Sequence, residues 1–163
     1  MRNERTIDGT DLRILSLLQK DARIANSSIA RIVRLAPSAI FERLKKLEAR
    51  GVIRGYEPRL DPTALSASLV AFIFVRAEEQ VGACETGNLL GQIPEVQEVH
   101  SIAGEDCYLV KVRVAGTDAL HALLRDRIGT IRTVKSTRTT IVLNTLKETA
   151  QFPLPNPVES AGD

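Results

Sequence analysis

Tryptophan is absent from this 163-residue chain, and four Phe and two Tyr are its only six-membered aromatics, so any core it builds is aliphatic. Long hydrophobic runs are missing too. The longest, Leu69 to Val75, is about a third of the roughly 20 residues a membrane span needs. The opening MRNERTIDGT is polar throughout and does not read as a signal peptide. Two cysteines, Cys84 and Cys107, have no partner motif and no nearby His pair. They speak against a disulfide or metal role and suit reduced thiols in a cytoplasmic protein. No Ser/His/Asp grouping, metal-ligand spacing or phosphate loop is visible, so neither an enzyme nor a cofactor is expected.

The chain is long enough for one ordinary domain or two small ones. Its net charge of +2 conceals an asymmetry. Residues 1–64 carry 13 Lys/Arg against 8 Asp/Glu, whereas residues 65–163 carry 9 against 12. Only the basic front half suits a polyanion, which points to two modules.

Within the front half, the stretch APSAIFERLKKLEARG from Ala36 to Gly51 predicts a helix. Pro37 suits its first turn, where no N–H is needed. Ile40, Leu44 and Leu47 stripe one face, the remaining faces are polar and mostly basic, and Gly51 supplies a left-handed end. A helix anchored on one side and basic on the other can enter a DNA groove. The same pattern also fits an ordinary amphipathic helix with solubilising charges, and this helix alone does not separate the two.

Ahead of it, Asp8 or Thr10 can cap a helix holding Leu12, Ile14, Leu15, Leu17 and Leu18, with a turn near Asp21-Ala22-Arg23. A second helix fits Asn26 to about Arg34, burying Ile29, Ile32 and Val33. The short link through Leu35 and Ala36 then gives helix-turn-helix spacing. Behind it, Val52 to Tyr56 reads as two short extended pieces around Gly55, enough for a small β-wing.

Asp61-Pro62 reads as a boundary. Residues 67–77 predict a strand, 81–92 a poor helix with three Gly ended by Pro94, and Val96 to Ala103 a second strand. After a turn at Gly104-Glu105-Asp106, Cys107 to Ala115 alternates Tyr108, Val110, Val112 and Val114 against Leu109, Lys111 and Arg113. A helix starts near Thr117 with Leu120, Leu123, Leu124 and Ile128 on one side, and Val134 to about Thr145 is the last strand. The order β-α-β-β-α-β is the ferredoxin-like arrangement. The fold class is therefore α+β: a winged helix-turn-helix over 1–60, a βαββαβ domain over 61–148, and a Pro-containing tail over 149–163 read as mobile.

A helix-turn-helix of this length, the segment ERLKKLEARGVIRGY, and a module containing GEDCYLVKVRV and STRTTIVLNT together resemble the Lrp/AsnC family of feast/famine transcription regulators. The likeness covers about residues 7–148. It implies a DNA-binding front, an effector-sensing and dimerising rear, dimers that assemble further, often to octamers, and a small effector that is usually an amino acid. Within the family, the likeness is to amino-acid-responsive members with Gly-Glu in the turn between the middle strands. Four positions depart from the family pattern. Arg34 stands where Gly is usual, so that turn must shift or Arg34 must strain. Ala36 and Ala25 stand where capping hydroxyls are usual, each missing cap costing about 1 kcal/mol, although Asn26 could cap one residue later. Cys107 replaces an acidic residue in the sensing turn.

Base edges would be read from the start of the third helix by Ser38, Ala39, Glu42 and Arg43. Arg43 suits a guanine, because its fork can bond O6 and N7 together. Ser27 and Ser28 suit phosphate at a helix N-terminus, or simple capping, with Lys46, Arg50 and Arg54 adding charge or serving only as solvated surface. One module alone binds weakly, so a dimer presenting two helices one DNA turn apart is expected. A four-stranded sheet covered on one face can pair through the other. In the turn, Gly104, Glu105, Asp106 and Tyr108 can offer N–H groups and carboxylates to an amino acid's charged ends. By resemblance, Thr137 and Thr139 of a neighbouring dimer join the pocket. A plain hairpin turn and two plain strand formers would look the same on spacing alone.

Two rivals remain. Some proteins of this architecture decarboxylate haem precursors using His and Arg, but His100 and His121 fall on a strand and a helix and read as structural or solvent-facing. A chromatin-architectural protein would bind DNA without sensing any effector.

Overall fold

A computed structural model describes residues 7–80 and 82–155. Residues 1–6, Val81 and residues 156–163, which include Pro157 of the expected tail, lie outside the described residues. Chain contacts divide the protein into two units: one holds Met1–Pro58 together with Glu148–Asp163, the other Arg59–Lys147.

The first unit is three helices, α1 (Gly9–Lys20), α2 (Asn26–Val33) and α3 (Pro37–Ala49). Asp8 caps α1 in a reciprocal box: its carboxylate accepts from the Asp11 N–H at 2.8 Å, and the Asp11 carboxylate accepts from the Asp8 N–H at 3.2 Å. Ile14, Ile29 and Ile40 are fully buried where the helices meet, with Ala30, Val33 and Leu44 around them. Ile32, expected inside, is instead 44 % exposed, because Ala30 takes the inward position.

Neither α2 nor α3 has a side-chain cap. Ala25 and Ala36 are the N-cap residues, and Asn26 lies one position too late, already inside the helix. Arg34 does strain: it closes α2 at φ 59°, ψ 48°, in the left-handed region that favours Gly. Gly51, at φ +68°, ends α3 as expected. Beyond it, residues 54–60 run without regular structure, so the expected wing forms no paired strands within this subunit. The Tyr56 hydroxyl donates to the Glu48 carboxylate at 3.0 Å and ties that segment to α3.

The segment 149–155, expected to be mobile, makes specific contacts within the same unit. The Gln19 side-chain amide accepts from the Phe152 N–H at 2.6 Å and donates to the Phe152 carbonyl at 3.1 Å, as a neighbouring strand would. The Gln151 side chain donates to the Gln19 carbonyl at 2.8 Å.

The second unit is a four-stranded antiparallel sheet, order β2-β3-β1-β4, formed by β1 (Leu69–Ala77), β2 (Val96–Ser101), β3 (Tyr108–Val114) and β4 (Val134–Ile141). Two helices, α4 (Glu85–Gly91) and α5 (Thr117–Leu123), lie on one face, α5 running on into a π-turn at Leu124–Ile128. This is the ferredoxin-like order the sequence predicts. Alternation explains the core: Ala71, Ile73 and Val75 of β1 and Val110, Val112 and Val114 of β3 all face the helices and are buried with Leu90, Leu120, Leu123 and Ile128. The opposite face is mixed rather than apolar, with Phe72, Phe74 and Leu109 beside Lys111, Arg113 and Arg138. Arg138 stacks over the Phe74 ring at 4.0 Å. Among the described residues, no helix is long and apolar enough to cross a membrane.

The unusual helix ends generate a test. Arg34→Gly removes left-handed strain of about 1–2 kcal/mol while adding unfolded-state freedom of about half that. A net gain of about 0.5–1 kcal/mol is expected, seen as a higher melting temperature. Ala36→Ser is expected to add a similar amount by supplying the missing cap. Unchanged melting in both variants would show that these ends carry no strain.

Candidate nucleic-acid interface and effector turn

In the first unit, the outward face of α3 carries Ser38, Glu42, Lys45 and Lys46, all exposed, with Ala39 half-buried. Ala39, Glu42, Arg43, Lys46 and Arg50 line one open concavity of about 310 Å³ with Asp11 and Leu47. Ser27 and Ser28 sit in the first turn of α2, and Arg54 is exposed beyond Gly51.

Arg43, the sequence's candidate for a guanine, is placed unexpectedly. Its Nη1 donates to the carboxylates of both Asp8 and Asp11 at 2.7 Å. The nitrogen that would form half of a bidentate guanine contact is thus committed to α1. The two carboxylates raise Arg43 above its ordinary pKa. Burial pushes Asp8 upward, but the Asp11 amide and Arg43 more than offset this, leaving its carboxyl below the usual value. Two aspartates more than thirty residues away gave no local signal of this pairing.

In the second unit, the Gly104-Glu105-Asp106 turn joins β2 to β3. Gly104 has φ +140°, which a side chain rarely tolerates, and its surroundings are open. The turn is tied down at both sides: the Cys107 N–H donates to the Val75 carbonyl at 2.9 Å, and Arg138 of β4 pairs with Asp106 at 3.0 Å. Tyr108 lies opposite Val75, and Val75 opposite Thr137, so turn and Thr137 stand level at one end of the sheet. Thr137 and Glu105 are exposed and Thr139 is half-buried.

Tyr108 differs from the rest of this set. Its ring is 3 % exposed and packs on Gly87, where an added Cβ would come within 2.7 Å of it. Its hydroxyl donates to the Glu79 carboxylate, which also accepts from the Thr86 amide and hydroxyl at 3.2 and 3.1 Å. The Thr86 and Thr133 hydroxyls share a further bond of 2.7 Å. Burial and the Glu79 carboxylate push the Tyr108 phenol up to about 12. Tyr108 thus supports the turn from beneath. Sequence reasoning had no signal for Glu79, Thr86, Thr133 or Arg138.

Cys107, at the departure from the family pattern, donates its thiol to the Ala77 carbonyl at 3.3 Å. His100 sits on the open face beside Glu98 at 3.1 Å, and His121 is exposed on α5. Among the described residues, no group of three or more His, Cys, Asp or Glu could hold a metal ion.

Comparison with known proteins agrees with both halves. Residues 7–54 match the model described as winged helix-turn-helix DNA-binding, and residues 70–152 that described as the Lrp/AsnC ligand binding domain. The chain is 38 % identical over 149 residues to the HTH-type transcriptional regulator FL11 of Pyrococcus abyssi, covering 91 % of this chain and 97 % of the relative. It is similar to a solved feast or famine regulatory protein from M. tuberculosis complexed with L-methionine, with TM-score 0.83 and 36 % identity over 92 % of this chain and 100 % of that one. A transcriptional regulator from Neisseria meningitidis in complex with L-Met has TM-score 0.83 and 30 % identity, covering 91 % and 97 %.

The Arg43 cluster makes its own prediction. Arg43→Met is expected to destabilise the first unit by about 1 kcal/mol at neutral pH, a modest value because Arg43 and Asp8 are partly exposed. Asp8 titrates lower when folded, so its contribution is complete above the ordinary carboxylate pKa of about 3.9 and is lost as pH falls through the folded value. The gap between the urea midpoints of the two proteins should therefore begin to narrow below about pH 4 and close only below the folded-state value of Asp8. A gap that did not narrow at all as pH was lowered would assign the Arg43 effect to something other than the Asp8 carboxylate.

Proposed function

The chain belongs to the Lrp/AsnC family, and from that premise we propose a sequence-specific DNA-binding transcriptional regulator whose assembly and DNA binding respond to a small effector, an amino acid. The observation that carries the reading is the union, in one chain, of a basic helix-turn-helix and a four-stranded sheet whose Gly104 turn stands level with Thr137.

Ser38, Ala39 and Glu42 approach base edges, while Arg43 steadies α3 against α1 from the rim of the same concavity. Ser27 and Ser28 at the start of α2, with Lys46, Arg50 and Arg54, take phosphates. Each such contact displaces counterions and is weakened by salt. A single α3 reads only a few base pairs, so function needs a homodimer, formed by the open faces of two sheets and extended to an octamer. Arg138 stacked on Phe74 supports burial of that mixed face, since a guanidinium held flat on a ring is less costly to desolvate than a free one.

The effector binds where dimers meet. Backbone N–H groups of Gly104 and Glu105 suit a carboxylate, Glu105 and Asp106 suit an ammonium group, and Thr137 and Thr139 of the neighbouring dimer close the pocket. Tyr108 acts from below, holding the turn through Glu79. Binding changes DNA affinity only through a preference for one assembly over another. The reading includes no catalytic step.

Two measurements test this. Each of the twenty amino acids is added to the protein in a thermal-shift and a DNA-binding assay. At least one should raise the melting temperature and alter DNA affinity, whereas DNA binding indifferent to all twenty would leave an effector-independent architectural protein. Gly104→Thr places a side chain at φ +140° and should abolish that effector response while dimers still bind DNA. Full effector binding by calorimetry in this variant would remove the turn from the pocket. Separately, Lys46→Ala should lower the slope of log affinity against log salt by about 1 without changing sequence preference.

A further inference from the structure

We infer that Phe41 is a base-reading residue, its ring packing on the C5-methyl group of a thymine in the major groove. The inference rests on the DNA-binding reading above. Phe41 is one of only four Phe in the chain and lies in the second turn of α3, yet it is 55 % exposed. It follows the fully buried Ile40 and therefore stands about 100° round the helix from it, on the shoulder between the buried stripe and the outward face. Ser38 precedes it by one turn and Lys45 follows by one turn, both exposed. An aromatic ring in that company gains nothing from water. Long helical side chains lean toward the helix N-terminus, which carries the ring toward the Ser38 end that enters a groove first.

The chemistry on offer favours a thymine. Among major-groove edges only thymine presents an apolar group, and Phe is one of the side chains that match it. Lys45, one turn on and exposed, brings the ring to a polyanion rather than to an apolar protein surface. Arg43, which would otherwise favour guanine from the opposite shoulder of the helix, has Nη1 committed to Asp8 and Asp11. The remaining readers on α3 are thus short, acidic or apolar, a set suited to thymine and cytosine edges.

The test begins by selecting preferred duplexes for the full-length protein from a random pool. Each thymine of the selected sequence is then replaced singly by deoxyuridine, which deletes only the methyl group. Wild type should lose about fourfold in affinity at one thymine per half-site, the factor expected for one methyl group leaving an apolar contact. Phe41→Ala should bind the thymine and uracil duplexes equally, and Phe41→Leu should keep part of the difference. Oligomer size and melting temperature should match wild type in both variants. The inference is overturned if no thymine is methyl-sensitive, or if sensitivity survives in Phe41→Ala. It is also overturned if the variant binds DNA normally but changes oligomer size, which would assign the ring to a contact between copies of the chain. Failure of the wild type to select any sequence would instead bring down the DNA-binding reading itself.

Discussion

One arginine nitrogen bridging two aspartates is the constraint on which the DNA-reading unit depends. Asp8 and Asp11 are already a capping box, satisfying the free N–H groups at the start of α1. Arg43 adds a tie from the middle of α3 to that same helix end. One cluster therefore ends a helix, neutralises the acidic residue 7 % exposed beneath it, and sets the angle at which α3 is presented. Such economy has a chemical consequence. A side chain that holds α3 in position with Nη1 has one donor fewer to offer any other partner.

The second unit solves an analogous problem with a carboxylate beneath its turn. A turn built on Gly104 at positive φ is adaptable, and adaptable turns lose entropy when they close on a ligand. Here Glu79, Thr86, Thr133 and the Tyr108 hydroxyl form one connected set under β3, while Arg138 holds Asp106 from the neighbouring strand. The backbone on either side of Gly104 is thereby restrained, and freedom is confined to the residues that would touch a ligand. Tyr108 is buried against Gly87 with its hydroxyl turned to Glu79.

What could be read from the sequence was what repeats along it. The alternation of β3 was visible because Tyr108, Val110, Val112 and Val114 are neighbours at period two, and the structure buries all four. The Ile40, Leu44, Leu47 stripe was visible for the same reason. Arg34 was marked only by the resemblance, which puts Gly there and left open a shifted turn or strain; the φ of 59° decides for strain. Ile32 was misjudged because Ala30, too small to signal burial, holds the inward position instead. Arg43 with Asp8 and Asp11, or Tyr108 with Glu79, are pairs set by tertiary packing between residues about thirty apart, and no local pattern marks them. The wing was misjudged because Val52 to Tyr56 offers two extended pieces too short to hold a ladder, and the structure leaves residues 54–60 without regular structure.

The division of the chain into its two units does not follow a single cut. Pro58 leaves the DNA-reading unit, the sheet unit intervenes as far as Lys147, and the chain then returns to lie along α1 through Gln19. The sheet unit is therefore an insertion with two covalent leads rather than a pendant on one hinge. A protease nick near Leu60 would sever the first lead and leave the second, together with its grip on α1, in place.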